Sequence, residues 1–272
     1  MPELPEVQTV LSTLEHMIAH KRIESIEILS PDVVQCDSDE FSRRLNQRSF
    51  VSFKRRGKYL LFEMEDVTLV SHLRMEGKYF VEKQSDPIRK HTHVVFHLND
   101  GSDLRYHDVR RFGRMELIEK SEEYRDFHGL GPEPFSDEFN ALYAWNKSRN
   151  LKRSLKMTLL DQSFVAGIGN IYADEICFRS RIRPETQVSK ISKKRWAMIV
   201  ENSRAVLSEA IAHGGSTIRS YTSSLGVTGL FQLQIDVYGR EGEPCHVCGS
   251  TIKKVRHGQR GTHFCPACQR RL

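Results

Sequence analysis

Four cysteines impose the tightest constraint on this chain. Cys245 and Cys248 form one C-x2-C pair, Cys265 and Cys268 a second, and sixteen residues separate the pairs. Each pair can turn two sulfurs toward one point, so together they supply the four ligands of a tetrahedral ion. The end of the chain is therefore expected to be a small module stapled by metal, over about residues 238–272. A redox pair is the other reading of such a motif. Glu3 and Glu6 stand where an export signal would carry positive charge, so secretion is not expected and thiolate zinc is favoured over disulfides. Four thiolates leave no open position for water, so one structural Zn²⁺ is the expected cofactor. Cys36 and Cys177 stand alone, and buried packing is their default role.

Upstream the pattern divides at Gly129-Leu130-Gly131-Pro132-Glu133-Pro134, which no regular element tolerates. Before it, Val7, Val10, Leu11, Leu14 and Ile18 recur at helical spacing, predicting an amphipathic helix over 5–20. Residues 22–120 then read as short strands, with a polar connection from Pro31 to Glu40. Asn99-Asp100-Gly101 is a strong hairpin signal. Such a run argues for an all-β sandwich or barrel. After the break the spacing becomes helical, over roughly 136–148, 151–161, 169–178, 188–192 and 193–213. Gly214-Gly215 stops the last of these. Residues 214–236 are rich in Gly, Ser and Thr and read as a mobile loop. The expected division is 1–134, 135–236 and 237–272, and the expected class is α+β. Lys and Arg total 41 against 35 Asp and Glu, giving +6, which suits a polyanionic partner without proving one. No apolar run reaches the roughly 18 residues of a membrane span, so no membrane partner is expected.

Several short motifs suggest chemistry. If Met1 is removed, Pro2 becomes a secondary amine at the N-terminus. An α-amino group titrates near pH 8, so a useful fraction is neutral in a cell. Such an amine can attack a sugar C1′ and form an iminium. Glu3 and Glu6 lie close enough to move protons beside it. Proline and acids also simply favour a helix start. Arg55-Arg56-Gly57-Lys58 places cations before a strand, either for phosphates or as a solvated charge run. Met75, inside His72-Leu73-Arg74-Met75-Glu76-Gly77, and Phe112, inside Arg110-Arg111-Phe112-Gly113, are apolar residues among charges at turn tips. They suit a wedge entering a base stack, or a core position. Gly167-Ile168-Gly169-Asn170 opens a helix whose free N–H groups suit a phosphate, or is a plain helix joint. Arg260 lies at the tip of a basic hairpin between the cysteine pairs.

Read together, the motifs resemble the bacterial formamidopyrimidine-DNA glycosylases. The similarity lies in Met-Pro-Glu-Leu-Pro-Glu-Val at the start, His-Leu-Arg-Met-Glu-Gly at 72–77 and Asp-Val-Arg-Arg-Phe-Gly at 108–113. It continues in Gly-Asn-Ile-Tyr-Ala-Asp-Glu at 169–175 and Arg-Gly-Thr-His-Phe-Cys-Pro-Ala-Cys-Gln at 260–269. The resemblance implies an N-terminal β-sandwich, a helix–two-turn–helix domain and a C-terminal zinc finger, with DNA in the cleft between them. It implies a bifunctional glycosylase and abasic-site lyase that removes oxidised purines from duplex DNA. Pro2 would be the nucleophile and Glu3 the general acid, with Glu6 in support. Lys58, His72, Asn170 and Arg260 would grip phosphates, Lys58 and Arg260 counting with the catalytic set. Lys156 would lie near the lesion, and His91 is placed among the DNA contacts. Met75, Arg110 and Phe112 would fill the hole and meet the orphaned cytosine. Arg219, Ser220 and Tyr221 would close over the everted base. A monomer in the bacterial cytoplasm, at the nucleoid, is implied. Gln8 stands where the family often has glutamate.

Two other readings remain at this stage. An endonuclease VIII-like enzyme for oxidised pyrimidines shares the fold and the Pro-Glu start. A non-catalytic zinc-dependent DNA-binding protein would need the finger but not the acids at 3 and 6.

Overall fold

The computed structural model describes residues 1–120, 127–215 and 234–271. The described residues form two compact units, one of 1–120 with 214–215, the other of 127–213 with 234–271. The α+β class and its three kinds of element are those expected. Among the described residues, no helix is long and apolar enough to cross a membrane.

The first unit starts with helix α1 (Leu4–Ile18), whose Leu4, Val7, Val10, Leu11, Leu14 and Ile18 are buried. Eight strands follow: β1 (Ile23–Ile28), β2 (Ser52–Arg56), β3 (Tyr59–Glu63), β4 (Val67–His72), β5 (Lys78–Lys83), β6 (Thr92–Leu98), β7 (Ser102–His107) and β8 (Arg114–Glu119). They make two four-stranded antiparallel sheets, ordered β1-β6-β7-β5 and β2-β3-β4-β8. Both sheets and α1 share one apolar core, with Phe62 and Leu69 from one sheet and Tyr79, Phe96 and Tyr106 from the other. This is the sandwich form of the two expected alternatives.

The connection expected from Pro31 to Glu40 is instead partly helical. A short 3-10 turn at Pro31–Val33 leads to helix α2 (Ser38–Leu45). The Asp37 side chain caps it by accepting from the backbone of Asp39 and Glu40. Phe41 and Leu45, one turn apart, are its buried pair. The charged and hydroxyl residues around those two anchors concealed the pattern.

The second unit carries helices α3 (Ala141–Ser148), α4 (Leu155–Leu160), α5 (Asn170–Arg179) and α6 (Lys193–Ala212), and the hairpin of β9 (Lys253–His257) and β10 (Arg260–Phe264). The 188–192 segment is a 3-10 turn at Val188–Lys190. The finger and the helices belong to one compact unit, and Glu175 shows how they are joined. Its carboxylate, buried on α5, accepts from the backbone N–H groups of Asp236, Val237 and Tyr238 at 2.9–3.0 Å. Burial raises this carboxyl to about 7, against those three hydrogen bonds, which favour the charged form.

Candidate active site

The start of α1 brings together Pro2, Glu3 and Glu6, three of the residues expected to act. Pro2 is buried although Met1 is 48% exposed. Glu3 and Glu6 are also buried. The Glu6 carboxylate accepts from the Glu3 backbone N–H at 2.9 Å, and the reciprocal contact completes a capping box. Capping therefore explains part of this sequence, yet it also holds residues 2 and 3 rigidly. Gly215 packs its backbone on the Glu6 carboxylate, where a Cβ would sit 2.9 Å from Oε1. Its φ of +78° also favours glycine. Sequence reading saw in Gly214-Gly215 only a helix stop.

Lys58 lies with Gly57 in the two-residue turn between β2 and β3 and is buried despite its charge. Arg55 of β2 donates through Nε to Gln8 Oε1 on α1 at 3.1 Å and through Nη1 to the Gly57 carbonyl at 2.9 Å. These contacts fasten the Lys58 hairpin to α1 and give Gln8 a local task. Lys54 pairs with Glu63 at 2.8 Å. The run at 54–58 is thus largely a structured hairpin rather than a row of solvated cations.

His72 ends β4, and its ring stands edge-on to Tyr59 at 4.5 Å. Its Nδ1 accepts from the Arg74 backbone N–H at 3.0 Å. The neutral ring therefore carries its proton on Nε2, the form that donates to an anion. Beyond His72 the chain turns through Arg74, at φ +51°, and Met75 is 38% exposed at the tip. A second tip carries Arg110 and Phe112, the latter 46% exposed, with the guanidinium 4.7 Å from the ring centroid. Neither Met75 nor Phe112 is a core residue. His91, at φ +68°, is half-buried. Its ring meets that of His107 edge-on at 5.9 Å.

In the second unit, Gly169 is the N-cap of α5 and Asn170 its first residue. Asn170 Nδ2 lies 3.4 Å from both the Tyr238 hydroxyl and the Gly261 carbonyl, and Oδ1 is buried with no partner. Arg260 starts β10 and is exposed, paired across the hairpin with His257.

Lys156 corrects an expectation. It is not at a DNA-facing surface but fully buried. Its Nζ donates to the Gly261 carbonyl at 2.9 Å and to Thr262 Oγ1 at 2.8 Å, and pairs with Asp174 Oδ1 at 2.8 Å. Through two hydrogen bonds and this ion pair it ties α4 and α5 to the strand that begins with Arg260. Asp174 also accepts from the His263 backbone at 2.8 Å. A lysine beside a family motif looked like a ligand contact, and only burial reveals the structural one.

Cys245, Cys248, Cys265 and Cys268 bring their sulfurs within 4.8 Å of one another. The Cys248–Cys265 and Cys245–Cys268 separations are 3.5 and 3.9 Å. A tetrahedron with Zn–S of about 2.3 Å needs sulfurs about 3.8 Å apart, so the set fits one ion. Arg219, Ser220 and Tyr221 lie outside the described residues.

Three family models match the chain. The formamidopyrimidine-DNA glycosylase N-terminal domain covers residues 1–115, its H2TH domain 130–222, and the zinc finger found in FPG and IleRS 242–271. A formamidopyrimidine-DNA glycosylase of Bacillus licheniformis is 46% identical, with all of both chains covered. Its namesake from Bacillus subtilis is also 46% identical, over 99% of each chain. A Lactococcus lactis Fpg solved with abasic-site DNA is 40% identical, with a TM-score of 0.93 over 99% of this chain and 100% of that one. A G226P mutant of the same protein, solved with DNA containing Fapy-dG, is 39% identical with a TM-score of 0.94 and the same coverage.

Proposed function

The chain belongs to the formamidopyrimidine-DNA glycosylase family, and we infer from that membership and its own geometry how it works. It is a DNA glycosylase for oxidised purines with abasic-site lyase activity. One observation carries the site assignment: Pro2, Glu3 and Glu6 are buried together at the rigid N-terminus of α1.

Pro2 acts as the nucleophile once Met1 is gone. The positive end of the α1 dipole disfavours a charged amine there, which favours the reactive neutral form. The target base must leave the stack, at a cost of a few kcal/mol. Met75 and Phe112 fill the space it vacates, as exposed apolar tips with Arg110 at their side. The Pro2 nitrogen bonds to C1′ as the C1′–base bond breaks. The base takes up a proton and the sugar ring opens, Glu3 serving both transfers. The resulting iminium acidifies C2′. Loss of a C2′ proton expels the 3′ phosphate, and a second elimination expels the 5′ phosphate. Hydrolysis of the iminium frees Pro2. A one-nucleotide gap with phosphate ends remains.

Lys58 and His72 of the first unit, and Asn170 and Arg260 of the second, hold backbone phosphates, which fix position without reading sequence. His91 is counted with these DNA contacts. Zinc supplies no step and orders the hairpin that carries Arg260. The extents of the three family models support a functional division at 1–134, 135–236 and 237–272. The enzyme works as a monomer on the genome in the bacterial cytoplasm.

Comparing single-turnover release of 8-oxoguanine and thymine glycol from matched duplexes tests the substrate class. Faster release of 8-oxoguanine is expected. Much faster release of thymine glycol would favour the oxidised-pyrimidine branch instead.

A further inference from the structure

The tips that carry Met75 and the Arg110–Phe112 pair are separate in sequence, yet both rest on one buried polar group. Asp108 is fully buried at the end of β7. Its Oδ1 accepts from the Arg110 backbone N–H at 3.0 Å and its Oδ2 from the Gly113 N–H at 2.8 Å. One carboxylate thus closes the turn from 110 to 113 from inside. Its main chain is held as firmly. The Asp108 N–H donates to the His91 carbonyl at 3.0 Å, and its own carbonyl accepts from His93 Nε2 at 2.7 Å.

Tyr106, two residues earlier on β7, extends this group to the second tip. Its ring is buried against Tyr79, with centroids 5.1 Å apart. Its hydroxyl donates to Asp108 Oδ2 at 3.4 Å. The same hydroxyl lies against the backbone of both Gly113 and Gly77. A Cβ at either glycine would fall inside it, and at Gly77 would also come within 2.7 Å of the Leu73 carbonyl. Gly77 closes the Met75 turn through its N–H to that carbonyl, at 2.9 Å. The two glycines are therefore required for close approach to one hydroxyl, since neither has a positive φ.

We propose that Asp108 and Tyr106 are positioning residues for recognition of the base opposite the lesion, setting the Met75 and Arg110–Phe112 tips as one unit. This rests on the reading that those tips enter the duplex. An arginine carries only donors, and the Watson–Crick edge of an orphaned cytosine offers two acceptors where adenine offers one. Such discrimination depends on where the guanidinium points, and that is set by the turn beneath it. The side-chain amide of an Asp108→Asn variant retains one acceptor oxygen but turns an NH₂ group toward the other backbone N–H, so the turn must shift.

The test compares single-turnover excision of 8-oxoguanine opposite cytosine with that opposite adenine. The proteins are wild type, Asp108→Asn, Tyr106→Phe, Arg110→Ala and the Asp108→Asn/Arg110→Ala double variant. Thermal unfolding and borohydride trapping on a single-stranded abasic oligonucleotide, which has no opposite base, serve as controls. The preference for cytosine should fall by roughly tenfold in Asp108→Asn, the scale of one lost directional contact. It should fall less in Tyr106→Phe, which leaves the ring in the core. Single-strand trapping by Asp108→Asn and Tyr106→Phe should stay within about twofold of wild type, since no opposite base is read there. The double variant should match Arg110→Ala, because the carboxylate acts through that arginine. A preference unchanged in folded Asp108→Asn and Tyr106→Phe overturns the proposal, as does additivity in the double variant. Wild-type preference in Arg110→Ala would instead overturn the reading of the tips, and the proposal with it.

Discussion

Glu3 and Glu6 are neighbouring carboxylates with different tasks. Glu6 is held by the Glu3 backbone N–H and packed by Gly215, so it is built into the helix start. Glu3 is the group proposed to move protons at the sugar. Glu3→Gln keeps the shape and removes the acid, so excision should slow by about 10²–10⁴-fold with duplex binding retained. Unchanged excision in that variant would remove Glu3 from the mechanism. His107 gives a pH prediction. Burial, with the cations nearby, lowers its pKa below the usual 6.5, and its Nδ1 is buried without a partner. The folded state thus resists protonation that the unfolded chain accepts below about pH 6.5. Its contribution is complete above that pH and is lost as the pH falls through the lowered folded value. Glu175 acts in the opposite sense, because its raised pKa makes stability fall as pH rises from 4.5 toward about 7. The profile of His107→Gln minus that of wild type isolates the histidine. The expected outcome is a smaller loss of thermal stability between pH 7.5 and 5.5 in the variant, and an equal loss would contradict it.

At the scale of elements, the finger hairpin is an arm fixed at its root. Lys156 and Asp174 hold β10 to α4 and α5, and Glu175 holds the chain entering the finger. Zinc bound by Cys245, Cys248, Cys265 and Cys268 would hold the finger together beyond that root. Cys248→Ser should lose zinc and disorder the strand that presents Arg260. Its duplex affinity should then depend less steeply on salt, the slope of log K against log salt shrinking by about 1, as for Arg260→Ala. A full slope together with retained zinc would contradict this role. Elements with strong local signals were legible from the sequence. The α1 spacing, the Asn99-Asp100-Gly101 turn and the cysteine pairs each state their structure locally. Helix α2 was not legible, because only Phe41 and Leu45 mark its buried side. The hub at Asp108 was not legible either. Its motif was visible, but no sequence pattern shows that Tyr106 reaches both Gly77 and Gly113 across strands.

For the whole molecule, the +6 charge agrees with a DNA partner, but it did not locate the contacts. The family motifs propose where they lie. They misplaced Lys156, because a resemblance transfers a position and not its burial. Arg219, Ser220 and Tyr221, expected to close over the base, lie outside the described residues. The central claim is covalent chemistry at Pro2, and one experiment reaches it directly. The protein is incubated with a duplex carrying 8-oxoguanine opposite cytosine, reduced with borohydride, digested and mapped by mass spectrometry. Linkage of the sugar remnant to the nitrogen of Pro2, in a chain lacking Met1, is the predicted result. A remnant on a lysine, or none on a chain whose Pro2 amine is shown to be free, would contradict it.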